Sequence, residues 1–164
     1  YLHSIDSLIA EESVKMFERN GVYNKTELEA RVDILIEEYR KSVKVEVLTL
    51  LDVSKKDILP ALVKEIQFYA DAQNALGKTN AYFTRKLDYL LSLLDKLDNA
   101  YHTLKKAMEE RNKTKNSREK AYYLDEVVVP MINSLGDIID KVEEAISREN
   151  YPFPTYDDMF LAMQ

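Results

Sequence analysis

Apolar residues recur three and four positions apart at Leu28, Val32, Leu35, Tyr39, Val43, Val47 and Leu50, and again at Ile58, Leu62, Ile66, Tyr69 and Leu76. That period marks one face of an α-helix, and its persistence predicts a single very long central helix over about 26–76. Thr26-Glu27-Leu28-Glu29 reads as its capping box, the Thr26 hydroxyl accepting from the Glu29 backbone N–H and the Glu29 carboxylate from that of Thr26; Gly77 reads as its stop. At 1.5 Å per residue such a helix runs roughly 75 Å, so different partners must cover its two halves. From Val43 to Val53 it is apolar nearly all round, which predicts cover on more than one side. Pro60 removes a backbone donor and crowds the Lys56 carbonyl, which predicts a kink, with the stripe continuing through Leu62 and Ile66.

Shorter elements flank this helix. Residues 4–19 set Ile5, Leu8, Ile9 and Met16 against Glu11, Lys15 and Glu18, a short amphipathic helix that Asn20-Gly21 ends and the next few residues fold back on the start of the long one. Phe83, Leu87, Leu90, Leu94, Leu97, Tyr101, Leu104 and Met108 alternate at four and three, a heptad seam on a helix of about 80–112. After a polar loop, Asn112 to Ser117, the last helix of about 117–149 carries Ala121, Leu124, Val128, Ile132, Leu135, Ile139, Val142 and Ile146, with Pro130 as a second internal kink. Pro152 and Pro154 then hold a tail, 151–164, out of helix. Its crowded Tyr156, Met159, Phe160, Leu161 and Met163 predict a docking segment for a surface outside this chain, whereas Tyr151 and Phe153 fold back on the bundle. The expected fold is all-α, an elongated up-down antiparallel helical bundle with one very long central helix, in a single domain 1–164.

Composition narrows the function classes. Three glycines and four prolines are too few for a sheet protein, and 164 residues can bury roughly two-thirds of their unfolded surface without staples. The net charge of −6, with both signs mixed along the chain, argues against nucleic acid as a partner, and charges interrupt every apolar run short of a membrane span. Cysteine is absent, which excludes disulfides and thiol catalysis. The chain starts at Tyr1 without a secretory signal, which reads as a piece of something longer.

Chemical motifs mostly fail on inspection. Gly77-Lys78-Thr79 imitates the end of a phosphate-binding loop, but Ala72 stands where the first glycine belongs and the preceding segment is helical. A di-iron bundle needs Glu-x-x-His pairs; the two histidines are His3 and His102, and Asn99 lies three before the second. Asp88, Asp95, Asp98, Asp137 and Asp140 alternate with lysines, as on a solvated face. No Ser/His/Asp set can be assembled. Lys105, Lys106, Arg111, Lys113, Lys115, Arg118 and Lys120 form the basic cluster, diluted by Glu109, Glu110 and Glu119 and read as a solvated loop at a helix end in preference to an anion site. Asn24-Lys25-Thr26 and Asn112-Lys113-Thr114 match the glycosylation pattern, a common chance tripeptide. No catalytic, cofactor-binding or metal-binding residue is expected on this chain.

Three blocks carry a family resemblance. FERNGVYNKTELEARVDILIEEYRKSVKVEVLTLLDVSKKDILPA, from Phe17 to Ala61, resembles the start of the C-terminal helical region of type III glutamine synthetases. KAYYLDEVVVPMINSLGDIIDKVE from Lys120 and YPFPTYDDM from Tyr151 resemble that family's final helix and closing tail, in the same order. Tyr151 stands where the family more often has tryptophan, and the ending FLAMQ departs from its usual Leu-Phe finish. The resemblance implies a parent glutamate–ammonia ligase, cytoplasmic and homo-oligomeric, that uses ATP with Mg or Mn through a γ-glutamyl phosphate. It implies that all ligands of nucleotide, metal and glutamate lie in an upstream catalytic domain. This chain is then a structural and oligomer-contact element, partnered by that domain and by neighbouring subunits. The alternative is a free-standing helical-bundle adaptor that binds a partner helix.

Overall fold

The computed structural model describes residues 2–114 and 116–154, and every regular element among them is helical. In chain order these are α1 (Leu2–Asp6), a 3-10 turn (Ser7–Ile9), α2 (Glu11–Arg19), α3 (Lys25–Val53), a π turn (Ser54–Ile58), α4 (Leu59–Ala75), α5 (Ala81–Arg111), α6 (Ser117–Tyr123), a second π turn (Leu124–Val128) and α7 (Val129–Ala145). α3, the first π turn and α4 make one uninterrupted helix of 51 residues, so the chain adopts the all-α class and the long helix that its apolar stripe predicts.

The cap of that helix lies two residues ahead of the expected one. Asn24, not Thr26, closes the capping box: Glu27 N donates to Asn24 Oδ1 at 2.9 Å and Asn24 N donates to Glu27 Oε2 at 2.8 Å. Asn24-x-x-Glu27 and Thr26-x-x-Glu29 are both competent signals, and the earlier one adds half a turn of helix. The 4–19 segment is likewise not one helix, because Ala10 is extended at φ −63°, ψ 147° between the 3-10 turn and α2. That break turns Met16 outward and buries Val14 in its place. Gly21, at φ 64°, ends α2 as expected in a Schellman arrangement, with Val22 N donating to Phe17 O and Gly21 N to Glu18 O.

The two internal prolines share a solution that differs from a plain kink. A helical proline has no N–H and its ring meets the carbonyl four residues back. In both helices the turn just ahead of the proline widens by one residue: Leu59 N reaches back to Ser54 O ahead of Pro60, and Val129 N to Leu124 O ahead of Pro130. Ser54 is fully buried, and its hydroxyl donates to Leu50 O at 2.7 Å, meeting a carbonyl at the widened turn. Helix and stripe continue on either side.

The chain divides into two compact units. One comprises the described residues up to Val47 together with Lys106–Pro130. Its core joins Leu2 and Ile5 of α1, Val32 and Ile36 of α3 and Ala121 of α6, with Leu8, Ile9, Leu35, Tyr39 and Tyr122 against them. The first helix therefore packs where expected, on the start of the long one. Asp6 is ion-paired with Arg118, and Tyr39 donates to Asp125.

The other unit comprises Leu48–Lys105 and the described residues from Met131 on. Ile58, Ala61 and Leu62 of the long helix, Leu90, Leu93, Leu97 and Leu104 of α5, and Leu135 and Val142 of α7 are all buried there. On α5 the buried position is Leu93, at 1% exposure, whereas Leu94 is half-buried, which corrects the heptad reading. The seam itself persists, since Leu90, Leu97 and Leu104 are all fully buried; the residues three and four after Leu90 both border that face, and here the one three on, Leu93, turns inward. Val45 and Leu48 are more than half exposed, at 63% and 52%, so the described residues do not cover the stretch from Val43 to Val53 all round.

Candidate functional site

The tail residues singled out for docking, Tyr156, Met159, Phe160, Leu161 and Met163, lie outside the described residues. Just ahead of them, Tyr151 is half-buried and donates to Glu143 Oε2 at 3.1 Å, while its ring meets Phe153 edge-on at 6.2 Å. The start of the tail thus turns back onto α7, as the sequence reading expects for Tyr151.

A different apolar surface surrounds the turn between α4 and α5. Gly77, at φ 63°, lets the chain reverse, and the reversal brings Tyr69 of α4 beside Tyr82 and Phe83 of α5. Tyr69 is the hub: its ring lies 5.3 Å from Phe68, 6.1 Å from Phe83 and 6.3 Å from Tyr82. Phe68 is 60% and Tyr82 54% exposed, and Leu76 is about half exposed. Large side chains kept in ordered contact with one another but facing water are what an interaction surface presents.

Polar contacts fix this surface to its frame. Lys86 reaches over the Tyr69 ring, 5.5 Å from its centroid, and donates to Ala145 O at 2.8 Å, where a cation meets the carbonyl end of α7. The Tyr82 hydroxyl beside Tyr69, then the partial burial of Tyr69 and the charges of Tyr82 and Glu65, push the Tyr69 phenol up to about 12. One turn earlier on α4, Glu65 is 1% exposed, and its Oε2 accepts from Ser147 Oγ at 2.8 Å and Asn150 Nδ2 at 2.7 Å. A buried carboxylate is tolerable when its lone pairs are filled in this way, and here it ties the segment after α7 to α4.

The charged clusters weighed in the sequence divide differently. Asp88, Asp95, Asp98, Asp137 and Asp140 are all exposed, and no group of three acids or histidines among the described residues is arranged to hold a metal ion. His102 faces Asp98 at 3.5 Å on the surface of α5. The basic cluster does not stay together as a solvated loop: Arg118 is engaged by Asp6, and Arg111 is buried. Sequence reasoning passed over Glu65 and read Arg111 only as part of the solvated basic cluster. Both fall on their helix's apolar stripe, Glu65 three after Leu62 and Arg111 seven after Leu104, which is the signal that marks them. No helix among the described residues is long and apolar enough to cross a membrane.

Comparison with known proteins bears on this arrangement. Residues 1–76 match the glutamine synthetase C-terminal domain family. A glutamine synthetase of Butyrivibrio fibrisolvens is 27% identical over 164 residues, covering 95% of this chain and 23% of that protein. The type-3 glutamine synthetase of Dictyostelium discoideum is 23% identical over 166 residues, covering 95% of this chain and 22% of that protein. A glutamine synthetase of Bacteroides fragilis is 26% identical over 151 residues, covering 84% and 20%. The chain thus spans less than a quarter of the length of these relatives. The first of the three sequence blocks falls within the family match, and the alignments with whole glutamine synthetases extend over nearly the whole chain: over residues 1–76 this chain is similar to the C-terminal domain of glutamine synthetases.

Proposed function

We propose that this chain is the non-catalytic helical part of a cytoplasmic glutamine synthetase, a ligase that joins ammonia to glutamate with hydrolysis of ATP in the presence of Mg or Mn. The nucleotide, metal and glutamate sites then lie in an upstream catalytic domain of the same polypeptide, and this chain contributes no ligand to them. Its own task is contact, with that catalytic domain and with neighbouring subunits of a homo-oligomer.

The aromatic surface at the α4–α5 turn carries this reading. Phe68 and Tyr82 are each more than half exposed, on a frame fixed by Glu65 and Lys86. Covering a large apolar side chain contributes about 1.5–3 kcal/mol, so a partner that buries two or three gains enough to hold an interface. The tail residues Tyr156, Met159, Phe160, Leu161 and Met163 belong to the same task, since so much apolar surface in a terminus favours docking. Calorimetry with Mg-ATP tests the division of labour. The chain alone gives no binding heat and makes no glutamine, whereas the full-length protein does both; saturable Mg-ATP binding by the chain alone refutes it.

A further inference from the structure

The last described residues start close to the aromatic surface of their compact unit and then run away from it. Lys86, near the start of α5, donates to Ala145 O at the end of α7 and lies over the Tyr69 ring, so α7 ends level with that surface. Beyond Ala145 the chain turns back. Ser147 and Asn150 donate to Glu65, one helical turn farther from Gly77 than Tyr69, and Tyr151 donates to Glu143, short of the end of α7. The chain is therefore heading away from its own α4–α5 turn as it approaches Pro154.

Residues 155–164 carry what the aromatic surface lacks. Tyr156, Met159, Phe160, Leu161 and Met163 offer apolar side chains to cover Phe68 and Tyr82, and Asp157 and Asp158 are the charges of a segment, 151–164, that contains no cation. The exposed charges beside the aromatic surface are mainly basic: Lys64 one turn before Phe68, Lys78 in the turn and Arg85 three after Tyr82, against Asp71. An apolar centre with opposite charges at its rim selects and orients a partner. Ten extended residues reach at most about 35 Å, enough to cross to a neighbouring subunit.

We propose that residues 155–164 of one copy of this chain cover the aromatic surface of a second copy, at Phe68, Tyr69 and Tyr82. The inference rests on the homo-oligomer reading above and names the two sides of one of its contacts. The chain enters the tail from the same compact unit that carries the surface, so a two-fold axis across α4 and α5 makes the exchange reciprocal and the interface closes on itself. Such an axis sets the partner's turn in the direction in which the chain leaves, whereas a tail covering its own surface would have to reverse after Pro154.

Photo-cross-linking of the full-length enzyme tests it, with p-benzoylphenylalanine in place of Phe160 and isotopically labelled and unlabelled copies assembled together. Irradiation should join position 160 of one copy to residues 64–86 of the other, read by mass spectrometry as peptides of mixed label. A cross-link to 64–86 within a single copy, or one to the upstream domain or to another surface, overturns the proposal. Deleting 158–164 and Phe68→Ser should each raise the concentration at which the oligomer half-dissociates by about tenfold or more, and the two together no further than the deletion alone, because they remove one contact. Effects that multiply overturn it as well. A full-length enzyme that sediments as a monomer refutes the homo-oligomer reading and this inference together; an oligomer without the mixed-label cross-link refutes this inference alone.

Discussion

Leu93→Ala and Leu94→Ala differ by one position on α5, and their comparison separates two descriptions of how this helix packs. A strict heptad running through Leu90, Leu94, Leu97 and Tyr101 makes Leu94 the core residue. The structure buries Leu93 at 1% exposure and leaves Leu94 half-buried. Removing a fully buried leucine loses its transfer free energy and leaves a cavity, which together cost about 2–5 kcal/mol, whereas a half-buried one loses part of the first term and leaves little void, about 1–2 kcal/mol. In a chain of this size each kcal/mol lowers the melting temperature by roughly 2–4 °C, so Leu93→Ala should melt about 4–20 °C below wild type and Leu94→Ala about 2–8 °C below. Both residues lie in the same compact unit, so one melt followed by circular dichroism at 222 nm reads both. Equal losses, or a larger loss for Leu94→Ala, would refute the packing described for α5.

Glu65→Ala should cost about 2–4 kcal/mol in urea unfolding, because it removes a charged acceptor and strands the Ser147 and Asn150 donors, whereas Ser147→Ala should cost about 1 kcal/mol. A loss no larger for Glu65→Ala than for Ser147→Ala would sink the idea that Glu65 ties down the segment after α7. The Tyr69 phenol, held at about 12 against roughly 10 in an unfolded chain, binds its proton more tightly when folded. Its contribution is therefore intact below pH about 10 and is lost as the pH rises towards 12, and Tyr69→Phe should flatten that part of the stability profile. Deleting residues 158–164 should leave the melting temperature of the chain nearly unchanged while weakening assembly of the full-length enzyme; a large loss of chain stability with normal assembly would make the tail a bundle staple only.

Much of the fold was legible because apolar spacing is a direct record of which face is buried. The positions read for the last helix, from Ala121 through Leu135 to Val142, are buried almost without exception. Details decided by competition between similar signals were not. Two capping boxes overlap at residues 24–29, and only the folded chain shows that Asn24 wins. The π turns ahead of Pro60 and Pro130 left no mark beyond the prolines themselves, since one extra residue in a turn preserves the stripe on either side. Val45 and Leu48 read as covered because apolarity alone cannot distinguish a core from a surface awaiting a partner. The same ambiguity hid the aromatic surface, whose Tyr69 and Phe83 belong to the stripes while Phe68 and Tyr82 project beside them. Arg111 was grouped with its basic neighbours because composition counts charges and not faces.

The central claim is that this chain serves assembly and leaves the chemistry to another part of the protein. Sedimentation velocity of the full-length enzyme carrying Phe68→Ser and Tyr82→Ser tests it most directly, since both side chains are exposed and their replacement leaves the buried core intact. A shift to smaller species is predicted, with Mg-ATP binding retained by the dissociated subunits. Sedimentation indistinguishable from the wild type would contradict the account.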